Sequence, residues 1–313
     1  IRLLQKARPV VLVDEPQRFS TRRAREALAE LGGRCTIEWT ATPRDRSGLV
    51  YQLSPTQALE RGLVKRIEVA PVEGDLRRRV EVAVRLQLEN ELRLRAPGRP
   101  TIKPLTLFFL DRVSDYDEGG RVQQWIEECW EVERSRPCWS ELDLPPAARV
   151  HAGYFARSGA GRAKDTRGGS IADARAYELI MRDKPRLLTP GEPLRFIVSH
   201  SALREGWDNP NVFVLCSLNR AQGTIRRRQE IGRGLRLPVD ATGRRVRSRE
   251  SCVLTVVAGE DYGSFAAGLQ HEFEEAGLQL DSFFVHDWRE RIQLRAAMDW
   301  ESHPAATMLW PRL

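Results

Sequence analysis

Residues 194–239 read LRFIVSHSALREGWDNPNVFVLCSLNRAQGTIRRRQEIGRGLRLPV, and the fold follows from how that stretch divides. Leu194–Ser199 and Val212–Ser217 are short apolar runs that read as strands, and Thr224–Leu235 carries a helical pattern. Ala202–Glu205 makes a short helical turn ahead of Gly206. Apolar strands alternating with helices are the mark of βαβ units and a parallel sheet.

The alternation continues in both directions. Upstream, Val10–Val13 is a first strand ending in Asp14–Glu15–Pro16, and Ser20 or Thr21 caps a helix that runs to Leu31, where Gly32–Gly33 stops it. Cys35–Trp39 reads as a second buried strand ending in Thr40–Ala41–Thr42–Pro43, and Leu63–Val69 as a third. Val80, Val82, Val84, Leu86 and Leu88 alternate as in a strand, while Leu76, Val80, Val84, Leu88 and Leu92 also form one helical stripe. The length of that stretch and the Pro97–Gly98–Arg99–Pro100 stop favour a helix, which marks the boundary between two domains. Beyond it come a buried strand at Leu105–Leu110 and a helix over Val122–Arg134, with Trp125, Cys129 and Val132 near one face. A Gly-rich polar loop over 153–169 and a helix at Ile171–Arg182 follow. After the quoted stretch, Cys252–Ala258 closes the sheet and Tyr262–Ala276 is helical.

The 313 residues are 41% hydrophobic and 30% charged, which allows a core and excludes wholesale disorder. No apolar run nears the roughly 18 residues of a membrane span, and no secretory signal pattern opens the chain. A formal charge of +7 favours an anionic partner such as nucleic acid. That signal is discounted because arginines outnumber lysines 45 to 5, a skew that genome base composition alone can produce. Five cysteines are scattered without a C-x-x-C pair or zinc-ligand spacing, so buried thiols in a reducing, cytoplasmic setting are expected. With no initiator Met and a strand starting almost at once, the chain reads as the interior of a longer protein.

Four constellations carry chemistry. In an open parallel sheet, ligands bind beyond the carboxyl ends of the strands, which is where Val10–Val13 delivers Asp14 and Glu15. Asp14 suits a phosphate-bound Mg2+, a hard ion that prefers oxygen, and Glu15 suits the polarising of an attacking water. Taken alone, the pair reads equally as a turn before Pro16. Thr40 and Thr42 follow the next strand and can hydrogen-bond an acid on a neighbouring strand end, though a turn before Pro43 accounts for them as well. In SALREGWDNP, 201–210, Gly206 lets the backbone approach a ligand closely and Asp208 can accept from a ribose hydroxyl. A helix cap and an Asp-Asn-Pro turn would explain only part of that decapeptide. In RRRQEIGRGLR, 226–236, Gln229, Arg233 and Arg236 fall near one helical face. Guanidinium forks bind phosphate and stabilise charge during its transfer. Gly232 and Gly234 argue against an ordinary solvated basic helix, since each weakens one.

DEPQ, TATP, SALREGWDNP and QEIGRGLR stand in the order of superfamily 2 helicase motifs II, III, V and VI. The chain resembles the Res subunits of type III restriction enzymes in an acid motif of DEPH type, with Gln17 in place of the histidine. The likeness continues in LTLFFLDRV (105–113), HAGYF (151–155), AYELIMRDK (176–184), FIVSHSALREGWDNPNV and RQEIGRGLRLPV. That resemblance implies an α/β fold of tandem RecA-like parallel-sheet domains, the first truncated on its N-terminal side. Residues 1–70 are then the distal part of the first ATPase domain, 71–103 a helical linker, 104–260 the second RecA-like domain and 261–313 the start of a following helical region.

The resemblance further implies Asp14 and Glu15 as the Mg2+ and water residues, Thr40 and Thr42 as motif III, and Gly206 and Asp208 as motif V. Gln229, Arg233 and Arg236 become motif VI, with Arg233 the arginine finger and Arg236 its support. ATP and Mg2+ are the implied cofactors, and ATP would bind between the two domains. Double-stranded DNA and a modification (methyltransferase) subunit are the implied partners, with movement on duplex DNA preceding cleavage by a nuclease beyond Leu313. No G-x-x-x-x-G-K-[ST] occurs, and Gly159–Ala160–Gly161–Arg162–Ala163–Lys164 is only an echo of it. These residues alone are therefore expected to bind ATP poorly and to be inactive. A stand-alone superfamily 2 DNA or RNA helicase and a non-enzymatic nucleic-acid-binding remnant are the alternatives.

Overall fold

The structure, a computed structural model, describes residues 2–19, 21–40, 48–53, 55–95, 101–116, 119–154, 178–200, 209–218, 230–248, 250–259 and 285–287. The chain divides into two compact units, 1–53 and 54–313. In the smaller unit, α1 (Arg2–Ala7) precedes β1 (Val10–Asp14), and α2 (Arg22–Ala29) leads to β2 (Cys35–Trp39). Thr21 caps α2 by accepting from the Ala24 N–H, as its position predicts. The strands pair in parallel with Asp14 opposite Trp39. The expectation of two buried strands holds only for Val13: β2 is exposed throughout, Trp39 at 61%. A two-stranded parallel sheet has too few neighbouring elements to cover its faces.

The larger unit runs α3 (Pro55–Glu60), β3 (Arg66–Pro71), α4 (Leu76–Leu94), β4 (Leu105–Leu110), α5 (Arg121–Arg134), β5 (His151–Tyr154), α6 (Lys184–Leu187), β6 (Phe196–His200), β7 (Val212–Ser217), β8 (Val253–Ala258) and β9 (Val285–Asp287). Its strands form one sheet in the order β5-β6-β4-β7-β8-β3-β9, every adjacent pair parallel. Side chains alternate across a strand, and β4 uses both sides. Phe108 and Leu110 pack with Phe196, Val198 and Val214 against Val84 and Leu88 of α4 and Ile126 and Trp130 of α5. Leu105, Leu107 and Phe109 pack on the other face with Ile197, Leu215, Ile180 and Leu187.

Several boundaries differ from the expected ones. Residues 66–71 and 76–94, assigned by pattern to the first domain and a linker, belong to the larger unit: β3 pairs with β8, and α4 covers one sheet face. Cys252–Ala258 therefore does not close the sheet, since β3 and β9 lie beyond β8. β9 is a strand within the stretch expected to be helical, and the helix predicted over 262–276 lies outside the described residues. The ambiguous 76–92 stripe is a helix, capped by the Asp75 carboxylate, which accepts from the Arg78 N–H. On α5 the core face is Val122, Ile126, Cys129 and Trp130, while Val132 is 58% exposed, because 3.6 residues per turn carry it off that face. β5 occupies the start of the expected Gly-rich loop, the rest of which lies outside the described residues. The five cysteines are free thiols, with Cys216 and Cys252 buried as expected. Among the described residues no helix is long and apolar enough to cross a membrane.

A buried polar network joins α4 to the amino ends of β4 and β6. Arg195, 3% exposed, donates to both Glu91 oxygens at 2.7 and 3.2 Å and to the Asp143 and Pro193 carbonyls. Gln87 donates to Glu91 and to the Pro104 carbonyl and accepts from the Thr106 hydroxyl. Beside the same sheet, the Tyr116 hydroxyl bonds His151 Nδ1 at 2.7 Å, and His151 Nε2 bonds the Glu127 carboxylate at 3.1 Å. A carboxylate only accepts, so the neutral ring carries its proton on Nε2 and takes the tyrosine O–H at Nδ1. Burial holds the His151 pKa below its ordinary value, with Glu127 opposing the shift.

Two outcomes are expected. Arg195→Met, which takes from the buried Glu91 carboxylate its bidentate cation and leaves it Gln87 and the more distant Arg95, should lower the unfolding free energy in urea by about 3 kcal/mol. Because the folded pKa of His151 is lowered, the unfolded chain takes up its proton first. The histidine's stabilising effect is thus present above its unfolded pKa and lost as pH falls through the folded one. Between about pH 8 and about pH 5, urea midpoints should decline more steeply for the wild type than for His151→Gln.

Candidate functional site

In the smaller unit the acid pair stands where the parallel ladder ends. Asp14 is the last residue of β1 and Trp39, its register partner, the last of β2. The Glu15 N–H then donates to the Trp39 carbonyl at 2.9 Å, extending the pairing by one step and bringing Glu15 beside Thr40. Two of the predicted segments thus meet at one sheet edge. Glu15 has φ of 55°, in the left-handed region that only glycine enters freely. That backbone turns the chain sharply out of the strand, and such strain collects at functional sites. Asp14 is exposed and Glu15 and Thr40 are partly buried. Thr42 lies outside the described residues.

In the larger unit, residues 230–234 are helical and Arg236 lies beyond the helix, in an antiparallel bridge with Val64. The expected helical face shared by Gln229, Arg233 and Arg236 therefore does not extend to Arg236. The reason lies at Gly234, where an added Cβ would sit 2.6 Å from the Leu254 side chain and where the carbonyl is taken by Lys65 at 2.9 Å. The Lys65 N–H also takes the Leu235 carbonyl at 2.8 Å. Arg233 is partly buried and Arg236 exposed, the latter's pKa lowered by burial and by the nearby Arg245. Both stand by the amino-terminal rim of the sheet, next to the entry into β3. Gly206, Asp208 and Gln229 lie outside the described residues.

The described end of SALREGWDNP reaches the same rim. Asn209 accepts from the Asn211 N–H at 2.9 Å, forming the Asn-Pro turn its sequence predicts. The Asn211 side chain pairs with both backbone groups of Val239, at 3.0 and 2.8 Å. Sequence reading missed Lys65, whose ammonium bonds the Pro210, Val212 and Gly234 carbonyls. One signal was available: a lysine directly before a buried strand, in a chain with 45 arginines and 5 lysines.

The acid edge fits Mg2+ held mainly by phosphate and water. Asp14 offers one exposed carboxylate, and Mg2+ commonly takes only one or two. Among the described residues no group of three or more His, Cys, Asp or Glu could cage a metal.

Parallel sheets with flanking helices make this an α/β protein. No family model matches the chain. It is 37% identical over 185 residues to the Res subunit of the type III restriction-modification enzyme EcoP15I from Escherichia coli, covering 55% of this chain and 18% of that protein. The StyLTI Res subunit of Salmonella typhimurium is 34% identical over 218 residues, covering 58% of this chain and 21% of its own length. A fragment of a putative HsdR subunit of a type I restriction enzyme from Vibrio vulnificus is 14% identical and covers 85% of this chain and 47% of that one, with a TM-score of 0.44. The chain is thus similar to type III Res subunits over about half its length and spans about a fifth of theirs.

The two glycines separate cleanly. Gly232 has no described atom within 4 Å of an added Cβ, unlike Gly234. Gly232→Ala should stabilise by about 0.4–1 kcal/mol, and Gly234→Ala should destabilise by about 1–3 kcal/mol, both read from thermal or urea unfolding. Leu254→Ala should remove much of the second penalty.

Proposed function

We propose that this chain is the motor portion of a type III restriction Res subunit, an ATP-dependent translocase or helicase that couples ATP hydrolysis to movement on duplex DNA. The observation that carries the reading is the meeting of Asp14, Glu15 and Thr40 at one sheet edge, in a chain similar to Res subunits. Asp14 would hold Mg2+, which supplies charge neutralisation at the phosphates. Glu15 orients and deprotonates the attacking water. Thr40, with Thr42, senses the acid edge, Gly206 and Asp208 complete the nucleotide contacts, and Gln229 acts with the arginines in catalysis. Arg233 stabilises the charge that develops on the transferred phosphoryl group, supported by Arg236.

These 313 residues contain no G-x-x-x-x-G-K-[ST] phosphate cradle, and by themselves they are expected to be inactive. A modification subunit provides sequence recognition, DNA is gripped through its phosphates, and a separate nuclease domain cuts. In the full-length gene product, duplex DNA should stimulate ATP hydrolysis. Glu15→Gln should lower that activity roughly 100- to 10,000-fold while nucleotide binding persists. Equal hydrolysis with and without DNA, or an unaffected Glu15→Gln enzyme, would overturn the reading.

A further inference from the structure

Lys65 is wholly buried, with no exposed surface. Its three ammonium hydrogens are matched by three carbonyls: Pro210 at 2.6 Å, Val212 at 2.9 Å and Gly234 at 2.9 Å. The Phe213 ring lies beneath the charge, 5.0 Å from Nζ to its centroid. No carboxylate pairs with the ammonium among the described residues. A buried charge without an ion partner is unfavourable, and burial lowers this pKa to about 7. An apolar side chain of similar length would avoid burying the charge but would leave three carbonyls without this donor, so burial of the charge alone does not account for a lysine here.

The acceptors supply a different account. Pro210 ends SALREGWDNP, Val212 opens β7, and Gly234 follows Arg233 directly. One side chain therefore bonds the exit of the first segment and the turn that carries the arginines. The backbone around it adds to the same grip: Val64 bridges Arg236, and the Lys65 N–H holds the Leu235 carbonyl. Three successive residues, Gly234 to Arg236, are thereby fixed against the strand that enters the sheet as β3.

We infer that Lys65 is a positioning residue for phosphoryl transfer: its ammonium clasps Pro210 and Gly234 and so fixes Arg233 relative to the Asn209–Pro210 turn. The inference rests on Arg233 acting as proposed above. Lys65 touches no reacting atom in this scheme; it acts through Arg233.

The test is a double-mutant cycle on DNA-stimulated ATP hydrolysis by the full-length gene product. Lys65→Met keeps the length and removes the donors. It should lower kcat roughly 10- to 100-fold, the scale of a small misplacement of a reacting group, with KM for ATP within about three-fold. Arg233→Ala should be at least as slow, and the double variant no slower than Arg233→Ala alone. Hydrogen exchange should rise at 231–237 and stay at the wild-type level in β4.

An unaffected Arg233→Ala enzyme would sink the assigned role of the arginine. A slow Arg233→Ala beside a normal Lys65→Met would sink the positioning role alone, as would additive losses in the double variant. If Lys65→Met does not accumulate as folded protein, Lys65→Gln, which retains two N–H donors, replaces it in the cycle. Failure of both to fold would show a purely structural clasp and would overturn the inference.

Discussion

A parallel strand flanked on both edges leaves neither face to water, and β4 meets that condition at all six of its residues. The remainder of the larger unit can be read as the means of meeting it. Helices α4 and α5 cover one face, with Trp130 edge-on to Phe196. Ile180, Leu187 and Ile231 cover the other. Arg195, Glu91 and Gln87 enter this core as a matched set, each bonded to another of the three or to a backbone carbonyl. Among the described residues the smaller unit has two strands and does not meet the condition, and Leu12, Ile37 and Trp39 are exposed.

Local patterns were legible wherever one physical signal dominated. The continuous apolar run of Leu105–Leu110 and the capped stripe from Leu76 to Leu92 gave the right element type. Thr21 marked a helix start because a short oxygen-bearing side chain satisfies an otherwise unpaired N–H. Strand order was not legible. Nothing in RIEVAP announces that it pairs with VLTVVA, because pairing depends on which sheet edge is open, and the natural reading kept β3 with its sequence neighbours. Burial in the smaller unit was misjudged for a related reason: an apolar strand declares a need for cover without supplying it.

At the candidate site, the acid pair and Thr40 could be placed from sequence because a strand followed by polar residues fixes their edge. Arg236 could not, since the helix that would have carried it ends where Gly234 meets Leu254. Lys65 is the converse case. A single lysine has no spacing or periodicity to reveal it, and its three acceptors come from segments far apart in the chain. Only the fold brings them together. Motif reading finds residues that act side by side along the chain, and it passes over those that act by holding distant segments in place.

The position of β3 also sets a timetable for making the protein. β3 leaves the ribosome well before its partner residues, which begin at Val253, and Arg66 must wait to pair with it. At a synthesis rate of about 5–20 residues per second, that wait is roughly ten to forty seconds. Throughout it, an apolar strand stands unpaired on the nascent chain while β4, β6 and β7 assemble ahead of it. Long-range pairing of this kind folds slowly and exposes strand edges to the wrong neighbours. A chain released before β8 emerges would carry an incomplete sheet, with β3 lacking the strand that all six of its residues pair with.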